Sequence, residues 1–513
     1  MEKNHARFIA VTNQEDKHYD VVIIGGALSG SAAALLLLRQ NPGIRVLIIE
    51  KSAHLSRRVG EATVEVSAYF LGHILGLTQY LNEAHLVKQG LRFWFSNGQV
   101  KSMDEASEIG AKYQVRFPSY QLDRAVFDEE VLRRAVAAGA ALWRPAGVVQ
   151  VQLAAGGEQI LSVRRDEKIE TVSARWVIDA SGVAAFLARK EGWWQTNAAH
   201  PTAAAWSRWK GVKDWDGLEL ASKYPQWASV VYGTRGTATN HINGDGWWSW
   251  WIPLKGGDIS IGVVFDQRLV DWPQDGGRLG ERLKDFLMQH PVAREMLVDA
   301  QFDEADVHWR KNLAYYSTTF AGDGFVLVGD AAAFMDPFYS PGMDWISFTV
   351  SRAADLIGAE RRREPLAGRI ECHNLDFTTS YRFWFEALYK DKYEYIGEFD
   401  LMGLAFLLDL GFYYFGVVSQ PFKYGEKAFL TPPFSMPVSR PFSALMRTYN
   451  RRFAKIARRR RRDNQLGKKN QGRRLLANGF HLGAGDIRIL IKTLFKWAWL
   501  EVTEGWRSWW SVS

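Results

Sequence analysis

A run of small residues stands where a strand gives way to a helix: Gly25, Gly26, Ala27, Leu28, Ser29 and Gly30. Such a run cradles phosphate, because glycine lets the backbone turn sharply and the following helix offers unpaired N–H groups and its positive dipole end. The apolar residues 19–24 before it predict a buried parallel strand, residues 29–38 a helix, and residues 45–49 a second strand. Glu50 closes that second strand, where a carboxylate meets ribose hydroxyls. A full dinucleotide fingerprint is G-x-G-x-x-G. Gly25 and Gly30 fit its outer positions, while Ala27 occupies the middle one, where backbone approaches pyrophosphate. Two further turns follow apolar strands: Asp179-Ala180-Ser181-Gly182 after residues 175–179, and Gly329-Asp330 after residues 324–328, with Asp336-Pro337 beyond. Alone, each is also an ordinary helix cap. In order behind one βαβ unit they point to a bound dinucleotide.

The elements that position these turns belong to a chain of 513 residues with 47% apolar, 23% charged and 13% aromatic content. About 150 residues per domain gives roughly three units with sizeable cores. The single cysteine, Cys372, excludes a disulfide scaffold, a cysteine-rich zinc site and an iron–sulfur cluster, and no metal site is expected. Residues 1–20 are polar and do not resemble a secretory signal. The expected location is cytoplasmic, with peripheral contact at the inner face of the membrane as a second placement.

The net charge of +8 has one source. Residues 451–474 hold twelve Lys or Arg and one acid, Asp463; without them the chain carries a net charge of −3. That block reads as a solvated, mobile basic arm able to meet anionic lipid or an acidic protein. No helix-turn-helix or RNA-recognition motif accompanies it, so nucleic acid is not an expected partner. Residues 401–418 are nearly long enough to span a membrane, but Asp409 and glycines interrupt them, predicting a buried helical hairpin. Residues 487–500 place Arg488, Lys492 and Lys496 on one helical stripe. That suits either an interfacial helix or a packed helix with a basic outer face. Residues 240–266 alternate turns with tryptophan and β-branched runs, predicting antiparallel sheet.

With Arg124 in Leu122-Asp123-Arg124-Ala125, the three turns resemble the FAD-binding domain of the class A flavoprotein monooxygenase and halogenase superfamily. Trp248-Ser249-Trp250-Trp251-Ile252-Pro253 resembles the W-x-W-x-I-P signature of flavin-dependent halogenases, and Val59-Gly60-Glu61-Ala62-Thr63 resembles that family's V-G-E-A/S-T turn. Lys88 matches the catalytic lysine by its place after this turn. The resemblance implies an α/β fold: an FAD-binding βαβ domain of the Rossmann-like, glutathione-reductase type, an inserted antiparallel-sheet substrate domain and a helical C-terminal region. The expected boundaries are 18–190 for the first FAD-binding part, with a substrate-side segment at about 64–118. The sheet domain is 191–310, the second FAD-binding part 311–360 and the helical region 361–513.

The resemblance also assigns residues. FAD contacts fall on Gly25, Gly26, Ala27, Ser29, Gly30, Glu50, Arg58, Glu61, Arg124, Asp179, Gly329, Asp330 and Gly342. Trp248, Trp250, Ile252 and Pro253 form a barrier between substrate and flavin, and Ser340, Pro341 and Gly342 form the halide side. In the implied chemistry a separate flavin reductase supplies reduced FAD, which takes O2 to a C4a-hydroperoxide. Halide then gives hypohalous acid, and Lys88 directs it onto an electron-rich arene. Tyr339 stands where tryptophan halogenases carry a glutamate, so Tyr339 joins Lys88 as a catalytic candidate, with it or nearby Asp344 as base. The missing glutamate points to a phenol, indole or pyrrole rather than free tryptophan, including one tethered to an acyl carrier protein. Pro341 lacks the N–H that the family offers to halide. That departure keeps a second reading open, an FAD-dependent monooxygenase or oxidoreductase without halide chemistry.

Overall fold

The computed structural model describes residues 17–477 and 479–509, so most of the polar opening at 1–20 lies outside the described residues. Five parallel strands form the centre of its first sheet, in the spatial order Phe325–Leu327, Lys168–Asp179, His18–Ile24, Val46–Ile49, Ala141–Trp143. Val21, Val22 and Ile23 are fully buried although they point alternately to opposite faces, so both faces of the sheet are covered. Helix α1 (Leu28–Gln40) opens directly after the central strand. Its Ser31, Ala32, Ala33 and Ala34 are buried, and side chains this small let it pack closely on the helix Arg124–Ala137 and on α2 (Gly342–Arg361). Gly25, Glu50, Ala180 and the Gly329 turn all follow the carboxyl ends of neighbouring parallel strands. That edge is where open α/β sheets bind ligands.

The second sheet has nine strands and contains the predicted antiparallel region as Thr239–Gly244, Trp247–Pro253 and Ile259–Asp266. Leu91–Phe95 joins it parallel to Thr239–Gly244, and Ser107–Ala111 pairs with Leu91–Phe95. Along Trp247–Pro253 the rings alternate with the pleat: Trp248, Trp250 and Ile252 enter the larger core, and Trp251 enters a second core with Trp94 and Trp215.

The C-terminal region departs from expectation in three ways. First, it is not wholly helical. Arg474–Ala477 pairs parallel with Ser107–Ala111, covering backbone groups that an edge strand would otherwise leave unpaired. Second, residues 401–418 form no hairpin. Helix α3 (Phe399–Tyr413) runs on through a π-helical turn, Tyr414–Val418, into Ser419–Tyr424. Its glycines are packing sites rather than breaks, since a Cβ on Gly411 would sit 2.2 Å from the Leu490 side chain and one on Gly403 3.1 Å from Leu475. The stretch Phe399–Leu430 is long and apolar enough to cross a membrane by length and composition, yet 61% of its most apolar window is buried within the protein.

Third, the basic block is no free arm. Its first half, residues 451–462, ends helix α4 (Arg440–Arg462), which buries Tyr449, Phe453, Ile456 and Ala457 on one face. Arg460 is buried and paired with Glu398, Asp400 and Glu504 at 2.6–2.7 Å. Arg461 pairs with Asp245 and Glu394, Arg452 with Glu501, Arg458 with Glu394 and Lys469 with Asp400. Counting charge alone gives a solvated arm; the aromatic and aliphatic residues at helical spacing within the block are what bury it.

Candidate active site

The phosphate turn has little freedom. Gly25 has φ +105°, and a Cβ there would lie 2.5 Å from Ala180 O; a Cβ on Gly30 would lie 1.9 Å from Gly25 O. The N-cap of α1 is Ala27, which offers no capping side chain, and no acid occupies the first turn. The first N–H groups of α1 therefore face the sheet edge free for an anion. Glu50 accepts the N–H groups of Gly26 and Ser52, both at 2.8 Å. Gly329, at φ +58°, rests against Ser29, where a Cβ would meet Oγ at 2.5 Å. Beside it the Asp330 carboxylate receives no hydrogen bond from any described residue. Burial raises its pKa, opposed by Arg124 and Arg310. An unsatisfied carboxylate beside a glycine cradle and an uncapped helix fits a nucleotide with hydroxyl groups to donate.

Arg124 holds Asp128 through two 3.0 Å bonds and donates to Gly60 O at 3.1 Å, fixing the loop before Glu61. Arg58 is half-exposed, 3.6 Å from the same Asp128. Two expected cofactor residues face elsewhere. The Asp179 carboxylate accepts the N–H groups of Ser181 and Leu187 at 3.0 and 2.7 Å, so it holds its own turn closed rather than facing the site. Glu61 turns to the second sheet, where Arg208 donates to it at 2.8 Å. Burial pushes its pKa up to about 7 against the pull of Arg208. In both cases a buried carboxylate is bonded by donors of the chain itself.

Lys88 lies at the end of the short strand Leu86–Lys88 and opens into a cavity of about 110 Å³. It is buried, and Nζ donates to Thr63 O at 2.8 Å. Burial lowers its pKa to about 8, opposed by Glu65 and Asp344. Asp344, in the first turn of α2, lines the same cavity. It accepts the Ser67 N–H and the Tyr413 hydroxyl, both at 2.9 Å, and burial raises its pKa to about 7.

Tyr339 and Pro341 also line the cavity, as does Asp409 of α3. Asp409 accepts Lys392 Nζ at 2.7 Å and the hydroxyls of Tyr449 and Tyr339 at 2.6 and 3.2 Å. In the sequence Asp409 shows only as an interruption in an apolar run, and Lys392 carries no signal of its own. A carboxylate in such a run was itself the signal, since buried charges are paired.

Tyr339 and Ser340 have φ values of +67° and +57°. Two consecutive left-handed non-glycine residues cost about 1–3 kcal/mol each and need support. The support reaches back to the tryptophan strand: Trp248 Nε1 donates to Tyr393 Oη at 2.8 Å, Tyr393 donates to Asp336 at 3.0 Å, and Asp336 accepts the Phe338 N–H at 2.8 Å. Neither Trp248 nor Trp250 lines the cavity, as a barrier at the substrate would; Trp248 stands behind Phe338 and His241, ring centroids 5.0 and 5.2 Å away. Of the halide-side residues, Ser340 spends its N–H on Pro337 O at 3.0 Å, and Pro341 has none. Gly342 begins α2, and a Cβ there would meet nothing within 4 Å.

A sequence profile described as tryptophan halogenase matches residues 20–117 and 98–374, more than half the chain. The chain belongs to the flavin-dependent halogenase family. Among curated relatives, the flavin-dependent halogenase chlA of Dictyostelium discoideum is 28% identical over 376 residues, 66% of this chain and 60% of that protein. A chlorinase of a pyrrole-2-carbonyl group on a peptidyl-carrier protein, from Pseudomonas fluorescens, is 26% identical over 373 residues, 68% of this chain and 78% of that protein. The chain spans less than two thirds of the length of the first three curated relatives, at 60, 64 and 62%. The crystal structure of halogenase PltM has the same fold, with a TM-score of 0.73 at 19% identity, covering 94% of this chain and 96% of that one.

Proposed function

We propose that this member of the halogenase family binds FAD and installs chlorine or bromine on an electron-rich arene of the phenol, indole or pyrrole type. The observation that carries the reading is Lys88, a buried ammonium facing a cavity that Asp344 shares. FAD would be held by the 25–30 turn, the N-terminus of α1, Glu50 and the Gly329-Asp330 turn. When bound in reduced form it supplies the activation of O2 that oxidises halide to hypohalous acid, and a separate flavin reductase delivers the reduced cofactor. The first sheet thus serves the cofactor, the second sheet the substrate, and the C-terminal helices close the cavity.

Lys88 holds hypohalous acid by a hydrogen bond from its ammonium. The arene's π electrons form the carbon–halogen bond, the halogen–oxygen bond breaks, and the leaving hydroxide takes a proton from Lys88 as water. The Asp344 carboxylate then removes the displaced ring proton. Both groups titrate near neutrality, at about 8 and about 7, as acid and base working at that pH require. PltM has been crystallised with phloroglucinol and FAD, which supports a phenol as the first substrate to try.

The deciding reaction contains the protein, FAD, a flavin reductase with NADH, O2, bromide and a panel of phenols, pyrroles and indoles, read by mass spectrometry. A product with bromine's paired isotopes, absent with Lys88→Met, supports the reading. An added oxygen with no halide dependence gives the monooxygenase reading, which Pro341 favours. Pro341 also makes a prediction: Pro341→Ala restores an N–H beside Gly342 and lowers the halide KM by about tenfold to a hundredfold, on about 1.5–3 kcal/mol for a charge-assisted hydrogen bond. An unchanged halide KM in steady-state kinetics places halide elsewhere.

A further inference from the structure

Helix α5 (Ala484–Thr503) packs one side on the body. Trp497 meets Tyr449 and Phe453 with ring centroids 5.9 and 6.4 Å apart, and Leu490 lies against Gly411. Its other side is apolar and, among the described residues, uncovered. Ile487, Ile491, Phe495, Trp499 and Val502 are 50, 49, 72, 70 and 68% exposed. Steps of four residues advance about 40° around a helix and the last step of three turns back about 60°, so these five form one continuous stripe. Trp506 and Trp509, just beyond, are exposed as well. Single exposed apolar residues are ordinary, whereas a contiguous patch marks a contact surface.

Charge identifies the contact. Arg488, Lys492 and Lys496 each follow a stripe residue and form a parallel row of cations along its flank. All three are exposed, and none is paired with a described residue. The contrast with α4 is direct, since most cations there are spent on acids. The acids close to this face are already engaged: Asp486 accepts the His481 and Gly483 N–H groups, Glu501 holds Arg452 and Glu504 holds Arg460. A second copy of this surface would therefore offer the cations no free carboxylate. An apolar, aromatic stripe bordered by unpaired cations instead matches a surface that is greasy in depth and anionic at its face.

We propose that α5 docks the protein on an anionic lipid bilayer, with Ile491, Phe495 and Trp499 inserted at the headgroup boundary and Arg488, Lys492 and Lys496 on lipid phosphates. The proposal is independent of the reaction catalysed.

The test is flotation of the full-length protein with phosphatidylcholine vesicles that contain or lack phosphatidylglycerol. Binding is expected to the anionic vesicles alone and to weaken as salt rises, because exposed charges are screened within about 8 Å at physiological ionic strength. Arg488→Gln/Lys492→Gln/Lys496→Gln should weaken it by about a hundredfold, each basic residue being worth about fivefold near an anionic surface. Phe495→Ser/Trp499→Ser should remove it even at low salt. All these positions are exposed, so thermal unfolding should be unchanged. Absence of binding to anionic vesicles, or equal binding by the variants, overturns the proposal. So does light scattering that shows a dimer without lipid which Phe495→Ser/Trp499→Ser converts to monomer, since the stripe then belongs to a second copy.

Discussion

Lys88→Met is expected to lower halogen transfer by about 10²–10⁴-fold, the range for losing a positioned proton donor, while leaving bound FAD and its reduction intact. Methionine fills the buried space without an ammonium, so the variant separates chemistry from packing. FAD content is read from the flavin absorbance of the purified protein; its loss in the variant would assign Lys88 to cofactor binding instead. The same site sets a pH profile. Asp344 must be ionised to accept a proton, so activity falls as pH drops through about 7. Lys88 must be protonated to donate one, so activity falls as pH rises through about 8. The product is a narrow bell with its maximum between those values, measured as kcat on a substrate that titrates outside the window. Asp344→Asn should flatten the acid limb and spare the alkaline one. A rate that climbs steadily through pH 8 would mean that the neutral amine is the working form.

Asp409→Leu is expected to destabilise the protein by about 3–5 kcal/mol, because it strands the buried Lys392 ammonium without its counter-charge. The hydroxyls of Tyr449 and Tyr339 lose their acceptor at the same time. Adding Lys392→Met removes the stranded charge, and the double variant should recover most of the loss. Urea denaturation of the three proteins reads the comparison directly. A single variant within about 1 kcal/mol of the parent would show that Asp409 is not balancing a charge. Breaking a buried pair and replacing it have different costs, and only the first is large.

The cofactor edge was legible in the sequence because it is built from local backbone geometry. Residues 25–30 between a strand and a helix, Glu50 at a strand end and Gly329-Asp330 after another strand each announce themselves within about ten residues, and the parallel pairing brings them together. Lys88 and Asp344 were visible too, the first through family resemblance. What stayed hidden was the direction in which buried carboxylates turn. Asp179 and Glu61 fit a pattern in sequence but are claimed in space by Ser181, Leu187 and Arg208. The basic block misled for the mirror reason: Arg460 finds Glu398, Asp400 and Glu504 from two distant segments, and no local window shows such partners. Residues 401–418 were misjudged because a glycine reads as a break until the side chain packed on it is known.

The cavity wall has two origins along the chain. Lys88, Pro341 and Asp344 fall within the stretch shared with the family profile, which ends at residue 374, whereas Trp384, Phe406, Asp409, Tyr413 and Phe480 lie beyond it. The family profile thus matches the part of the wall that carries Lys88 and Asp344 and stops short of the rest, while the fold shared with PltM runs over 94% of the chain. Transplanting residues 375–509 between relatives should exchange which arene is accepted while the halogenating half travels unchanged, much as one handle accepts interchangeable blades.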